Sequence, residues 1–494
     1  YEGGEKQGAG FHQQTLLALG GRSVNAVRGF AILVQAPVRH TAAMSDVRNF
    51  GAAGDGKTDD TAAIRHAVEQ GDGSLVFAPG VYRISNTIEI PLAEGGPSGM
   101  SGEAGGATVI MAGAGPAFRL TGTHGGTGDP GSVRPGVWRR ERMPVLRGLV
   151  VEGDHPEADG FELRGTMQSI FEGVMVRRAR HGIRLVERNR NVLISHCHLY
   201  HNTGVGLFLD RVNLHQINVT GSHISYNRLG GIRLQNSEVR NLQITGNDIE
   251  YNNARSHHGL PSQPTAEIWI DASGGGASVN EVAIASNTIQ ATASAGGANI
   301  RIADDGKSGR PPGLIAISGN VIGSQENNVH LTGCYGVAIS GNTIYSSTQR
   351  NLLVQGSRLI TVGSNHFRRH TPAFGTGVRF EDSQDCTISG CTFRDESESG
   401  QESGASLLEL EACSRITVSG CSFADGAPYA IDAQDCSGIR ITGNTSAETR
   451  EKRAAKGALR FRGDGRGNLA ALNLFGSGIE AEPSAGLGAV NNEQ

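Results

Sequence analysis

A β-forming residue, a polar residue and a second β-former, followed by a small residue or two and Asn or a close substitute, recur along most of the chain. The segments read VLISHC, INVTGS, LQITGN, VAIASN, IAISGN, VAISGN, ITVGSN, TISGC, ITVSGC and IRITGN, ending at Cys197, Ser222, Asn247, Asn287, Asn320, Asn342, Asn365, Cys391, Cys421 and Asn444. Alternation of this kind is the period of a strand, and a repeat of roughly 25 residues means one supersecondary unit stacked many times. One unit shows the rest of the plan. LQIT (242–245) is a strand, GN a tight turn, DIEYN (248–252) a second strand, and EIWID (267–271), after a variable loop, a third. The third strand returns as GFELR, GIRLV, GLFLD, GIRLQ, NIRIA, NVHLT, NLLVQ, GVRFE and LLELE. Three strands and three turns per coil predict an all-β chain wound as a single-stranded parallel β-helix, with coils about 4.8 Å apart. Asn at the two-residue turn suits a left-handed backbone, and stacked Asn amides are expected to hydrogen-bond from coil to coil.

The organised sequence opens with DVRNFGAAGDGKTDDTAAIRHAVEQ and GSLVFAPGVYRIS. Asp59 or Asp60 is placed to cap a short helix, with Ile64 and Val68 on one face. The NFGAAGDGKTDDTAAI and FAPGVYRIS stretches resemble the N-terminal region of the pectate-lyase-like superfamily of right-handed β-helix proteins. That group includes polygalacturonase-like hydrolases, polysaccharide lyases, alginate epimerases and phage tailspikes. The resemblance implies a right-handed helix whose opening α-helix covers the end of the stack. It implies action on, or binding of, a polysaccharide. Bound calcium is implied by the resemblance alone; no other cofactor is expected. The epimerases' Asp-Pro-His-like segment is not evident. DHPEADG (154–160) holds similar residue types in another order, so no roles are carried onto it.

Composition narrows the classes. Gly is 72 of 494, and the formal net charge is −4, which gives no global reason to expect nucleic acid binding. No run of about 18 apolar residues predicts a membrane span. The seven cysteines include no CxxC pair, so a metal site is not expected. Cys197, Cys391 and Cys421 fall in the Asn column and read as small buried side chains; a disulfide such as Cys386–Cys391 is permitted but not required. Residues 1–43 lack strand periodicity and a convincing signal peptide, and Met44 stands just before the first organised sequence. The expected organisation is a disordered extension (1–43), a cap and first coil (44–95), the helix (96–464) and a loose C-terminal tail (465–494). No export signal is visible, although a polysaccharide substrate would place the protein outside the cytoplasm or in a periplasm.

Alternation along the third strand sets its middle residue outward. Read down the coils, that column contains Arg184, Phe208, Arg233, Trp269, Arg301 and His330. Guanidiniums stack on rings and pair with carboxylates, and aromatic faces suit sugar rings, so the column is the expected substrate trough for an acidic oligosaccharide. The plainer reading is a polar sheet surface in which aromatics keep like charges apart. The next outward column holds Asp210 and Asp271, two coils or roughly 9–10 Å apart, near the separation of an inverting hydrolase's carboxyls. Glu267 starts the same strand and is a third catalytic candidate. The plainer reading of these carboxylates is pairing with Arg233 or Arg301. The longest inserts, 252–266 and 272–280, flank Trp269 and are placed to wall the trough, with His257 and His258 in one wall. His198, His223 and Asp248 form a separate stacked column, compatible with proton transfer or a weak metal site.

Two function classes follow. The first is an enzyme that cuts an acidic polysaccharide. As a hydrolase it would use Asp210 and Asp271 for acid–base work. As a lyase it would neutralise a uronate carboxylate with Arg233 or Arg301, while a His or Tyr removes the C5 proton. The second is a non-catalytic glycan-binding or structural β-helix of tailspike type. The partner expected in either case is a polysaccharide, with the chain a monomer or homotrimer.

Overall fold

The computed structural model describes residues 45–95, 98–253, 263–369, 375, 377–396 and 404–493. Each coil supplies three strands, and every strand pairs in parallel with its counterparts in adjacent coils. In one coil they are Glu238–Thr245, Asp248–Glu250 and Ala266–Asp271, which we assign to faces I, II and III. Face II is a sheet of its own. Faces I and III merge where strands such as Ile183–Ser195 and Leu207–Thr220 run round the corner between them, with a register shift between Val186 and Glu187.

The hydrophobic pattern produces this stack because inward positions meet like positions one coil away. Ile244, Ile284, Ile317 and Ile339 align on face I, and Ile224, Ile249, Ile289, Ile322 and Ile344 on face II, all fully buried. Each such side chain contributes about 1.5–3 kcal/mol of burial. Phe367, Phe393 and Phe423 extend the column toward the C-terminus, with ring centres 5.0 and 4.6 Å apart.

The corner between faces I and II is held by the expected ladder. Asn247, Asn287, Asn320, Asn342 and Asn365 each donate from Nδ2 to a carbonyl oxygen of the preceding coil. The first four also donate to the next Asn Oδ1, at 2.9–3.0 Å. The left-handed residue of the turn is the one before the Asn, however: Gly246 has φ 66° and Ser286 φ 56°. The Asn keeps an ordinary backbone and spends its amide on the ladder. All seven cysteines are free and buried, so Cys386 and Cys391 are not bridged.

The helix expected near the start is Thr61–Gln70, with Ile64 and Ala67 buried and Val68 partly buried against the core. Of the two expected caps, Asp59 supplies the side-chain bond. Asp60 turns its carboxylate to the N–H groups of Ala53 and Gly54, and Asp59 accepts from the Thr61 N–H at 3.0 Å. At the other end the expected loose tail is part of the helix. Asn468–Ala471 pairs with Arg440–Thr442 and with Leu487–Val490, and Ile479–Ala481 pairs with Gly457–Arg462. Residues 1–43, His257 and His258 lie outside the described residues. Among the described residues, no helix is long and apolar enough to cross a membrane.

Candidate functional site on face III

Strand pairing joins Glu162, Arg184, Phe208, Arg233, Trp269, Arg301, His330 and Leu353 in one continuous register on face III. All six residues expected to line the trough are therefore in a single column. Their electrostatics divide it into three parts. At the N-terminal end the column neutralises itself: Arg119 bridges Glu89 at 2.6 Å and Glu162 at 2.7 Å, and Arg184 bridges Glu162 at 3.1 Å and Asp210. At the C-terminal end Glu409 takes Arg350 at 2.8 Å and Arg379 at 3.0 Å.

The centre is different. The Arg233 guanidinium carbon lies 4.3 Å from the centre of the Trp269 ring, and that of Arg301 lies 5.2 Å from it. Among the described residues neither arginine forms a salt bridge. Among the described residues the Nε of Arg233, the Nε1 of Trp269 and the Nε of Arg301 have no hydrogen-bond partner. Burial lowers the pKa of Arg233, opposed by Asp271 and Asp210, and lowers that of Arg301, opposed by Glu326. This is an electropositive stretch: the three unpartnered nitrogens are buried, and Arg301 Nη2 donates to Gly296 O, a neutral carbonyl that leaves its charge uncompensated.

Two sequence expectations change here. Arginines from the coils on both sides flank Trp269, so the indole is a platform for cations and not an open face for a sugar. Phe208 is only 9% exposed and packs on His181, ring centres 5.0 Å apart. Neither aromatic offers a free stacking face.

His330, one coil beyond Arg301, has a defined tautomer. Gln355 Nε2 donates to Glu381 at 2.6 Å, which turns Gln355 Oε1 toward His330 Nε2 at 2.9 Å. Nε2 therefore carries the hydrogen, and Nδ1, which has no partner, keeps its lone pair. Burial lowers the His330 pKa, keeping the ring neutral near pH 7. Beyond it a depression of about 420 Å³ opens on the same face, lined by Arg350, Leu353, Arg379 and Glu381 and walled by 348–349 and 404–405.

The three candidate catalytic carboxylates are placed less favourably. Asp210 and Asp271 are two coils apart in the next column, as the repeat requires. Asp210, however, is 4% exposed and bound by Arg184 and by Arg211 at 3.3 Å. Its partner is Arg184, not Arg233 or Arg301. Asp271 is half-buried and accepts the Ser273 N–H at 3.2 Å. Glu267 is a correction: it points inward, 1% exposed, because the first residues of face III strands are still rounding the corner. It cannot meet a substrate.

The lower-ranked column lies on face II. His198 stacks on His223 at 5.1 Å, and His223 Nδ1 is 3.3 Å from Asp248 Oδ2. Glu250, two residues along, has its pKa pushed up to about 7 by burial and by Asp248. The sequence reading singled out Asp248 but missed this coupling; two carboxylates at i and i+2 on a three-residue strand were its signal. A second missed feature is an aromatic strip at the next corner, His201 on Tyr226 at 5.0 Å and Tyr226 on Tyr251 at 6.1 Å. It was visible as the residue following each face II strand. Among the described residues no group of three or more His, Cys, Asp or Glu is arranged to hold a metal.

A parallel β-helix with one polar column along its outer face is the class that fold and site define. The sequence matches the model of the right handed beta helix region over residues 145–289, 266–446 and 327–492, and the chain belongs to that family. Residues 44–124 also match a model described as rhamnogalacturonase A/epimerase, pectate lyase-like. No curated protein matches the sequence. Among solved structures, tailspike protein 3 of bacteriophage CBA120 is similar over 90% of this chain, at 13% identity and a TM-score of 0.41; the similarity spans 61% of the tailspike. The A-module of the Azotobacter vinelandii mannuronan C-5 epimerase AlgE4 is similar over 83% of this chain and 98% of its own, at 14% identity and TM-score 0.45. The catalytic unit of a GH87 α-1,3-glucanase from Streptomyces thermodiastaticus is similar over 91% and 68%, at 13% identity and TM-score 0.35.

Proposed function

We propose that this protein is a carbohydrate-active β-helix that binds an extended, uronate-containing glycan along face III and cleaves it by elimination. The observation that carries this reading is the electropositive centre, where Arg233 and Arg301 flank Trp269 without an ion pair among the described residues. A uronate carboxylate laid against Arg301 has its charge neutralised, which acidifies the adjacent C5 proton. His330, neutral and with a buried Nδ1 lone pair that a side-chain rotation must uncover, is the base one coil away. Proton removal at C5 and rupture of the C4–O bond leave a C4–C5 double bond on one fragment. The departing sugar oxygen takes a proton. Elimination is favoured over hydrolysis because Asp210 is committed to Arg184 and Glu267 is inside the core.

The test is incubation with a panel of uronate and neutral polysaccharides. A rise in absorbance at the unsaturated-uronate band, with acidic polymers only, is the expected result. New reducing ends without that band would assign a hydrolase instead. A second reading, glycan binding without turnover, draws on the self-neutralised ends of the column. Binding with no product from any polymer would select it.

A further inference from the structure

We propose that Glu267 is held as a neutral carboxylic acid whose proton joins two asparagine ladders beneath Trp269. The first ladder runs Asn202, Asn227, Asn252, with each Nδ2 donating to the next Oδ1 at 2.8 and 2.9 Å. It ends on Glu267: the N–H of Asn252 donates to Oε2 at 3.2 Å, and its Nδ2 donates to the same oxygen. The second ladder runs Asn299, Asn328, Asn351, with Nδ2-to-Oδ1 bonds of 3.0 and 2.8 Å. Pairing of Ala266 with Ala298 and of Ile268 with Ile300 sets Glu267 directly opposite Asn299, so Glu267 heads this second ladder.

At every other step of these ladders the leading residue donates to the oxygen of the next. At this step two buried acceptors occupy paired positions on adjacent strands. Among the described residues Glu267 Oε1 has no partner, and neither does Asn299 Oδ1, whose own amide is already given to Gly323 O and Asn328 Oδ1. A proton on Oε1 supplies the missing donor and removes both orphans at once. Two orphaned acceptors would otherwise each carry an uncompensated desolvation penalty. The charge environment agrees. Glu267 has no salt bridge among the described residues, the titratable groups that act on it are Glu250 and Tyr251, and Glu250 opposes its ionisation. Burial raises its pKa well above the carboxylate range.

The consequence is a proton-dependent joint two residues from Trp269 on the same strand. The native state keeps a proton that the unfolded chain has lost. The contribution of this group to stability is therefore greatest at acid pH and declines as pH rises from the ordinary carboxylate range to the pKa of the folded protein. The joint does not depend on the glycan reading; its test uses the protein without ligand. Infrared spectra of wild type and E267Q at pH 7 are expected to differ by the carbonyl stretch of a protonated carboxyl, present in wild type and absent in E267Q. The glutamine amide donates where the proton did, so E267Q keeps the fold. The folding constant of wild type should fall about tenfold per pH unit relative to E267Q across that window. An ionised-carboxylate band in its place, or pH–stability profiles that run parallel in the two proteins, would overturn the proposal. Failure of any glycan to bind would leave it standing.

Discussion

Arg233 places its guanidinium over the Trp269 ring at 4.3 Å, from a neighbouring coil, in the stretch of face III where charge is left unbalanced. The contact holds the guanidinium in place without consuming its charge, worth about 0.5–2 kcal/mol depending on exposure. Elsewhere in the column the arginines are pinned by carboxylates.

R301A should weaken acidic oligosaccharides about 10- to 100-fold, the worth of one charge-assisted hydrogen-bond set, while leaving any affinity for neutral glycans unchanged. Calorimetric titration checks this. Equal losses for both ligand types would mean that the arginine shapes the surface without reading charge.

Turnover of a uronate polymer by H330N should drop about 10²- to 10⁴-fold with binding retained. The wild-type rate should rise with pH as the imidazole loses its proton, with its midpoint below the usual histidine value, since burial lowers the His330 pKa. The same depression means the native state resists protonation, so this group's contribution to stability falls as pH drops below about 6.5. A pH–rate profile and a kcat comparison read both.

D210N tests the reassignment of the expected acid pair. Asp210 is bound to Arg184, so its loss should cost about 3 kcal/mol in denaturant unfolding, with turnover per folded molecule unchanged. Loss of turnover at full stability would restore Asp210 to the chemistry.

N320A should destabilise by about 2–4 kcal/mol. It strips a donor from Ile284 O and from Asn342 Oδ1, and an acceptor from Asn287, all in the interior. Thermal unfolding measures it.

On face II, D248N should return Glu250 from about 7 toward the ordinary carboxylate range, because the Asp248 charge is one cause of its elevation. Carboxyl NMR titration follows this. A titration at about 7 in the variant would assign the shift to burial alone.

The column on face III was legible because strand alternation and the coil repeat together fix which side chains meet, and register then follows without side-chain detail. Partner choice was not legible. Nothing in the spacing of Asp210 says that Arg184, one coil back, takes it before Arg233 can. Glu267 was misread because alternation starts only after the corner. Yet the Asn residues of GGANIRIA, ENNVHLT and QRNLLVQ stand at its position in following coils and marked it as interior. The C-terminal strands escaped notice because NLAA and LGAV are poor in β-branched residues. Their pairing is imposed by the coil beneath.

The most direct test of the central claim is titration of an acidic oligosaccharide into wild type and the R233A/R301A double variant, with a neutral oligosaccharide as control. The account predicts binding of the acidic ligand by wild type, its loss in the double variant, and no comparable binding of the neutral one. Undiminished binding of the acidic ligand by the folded double variant would contradict it.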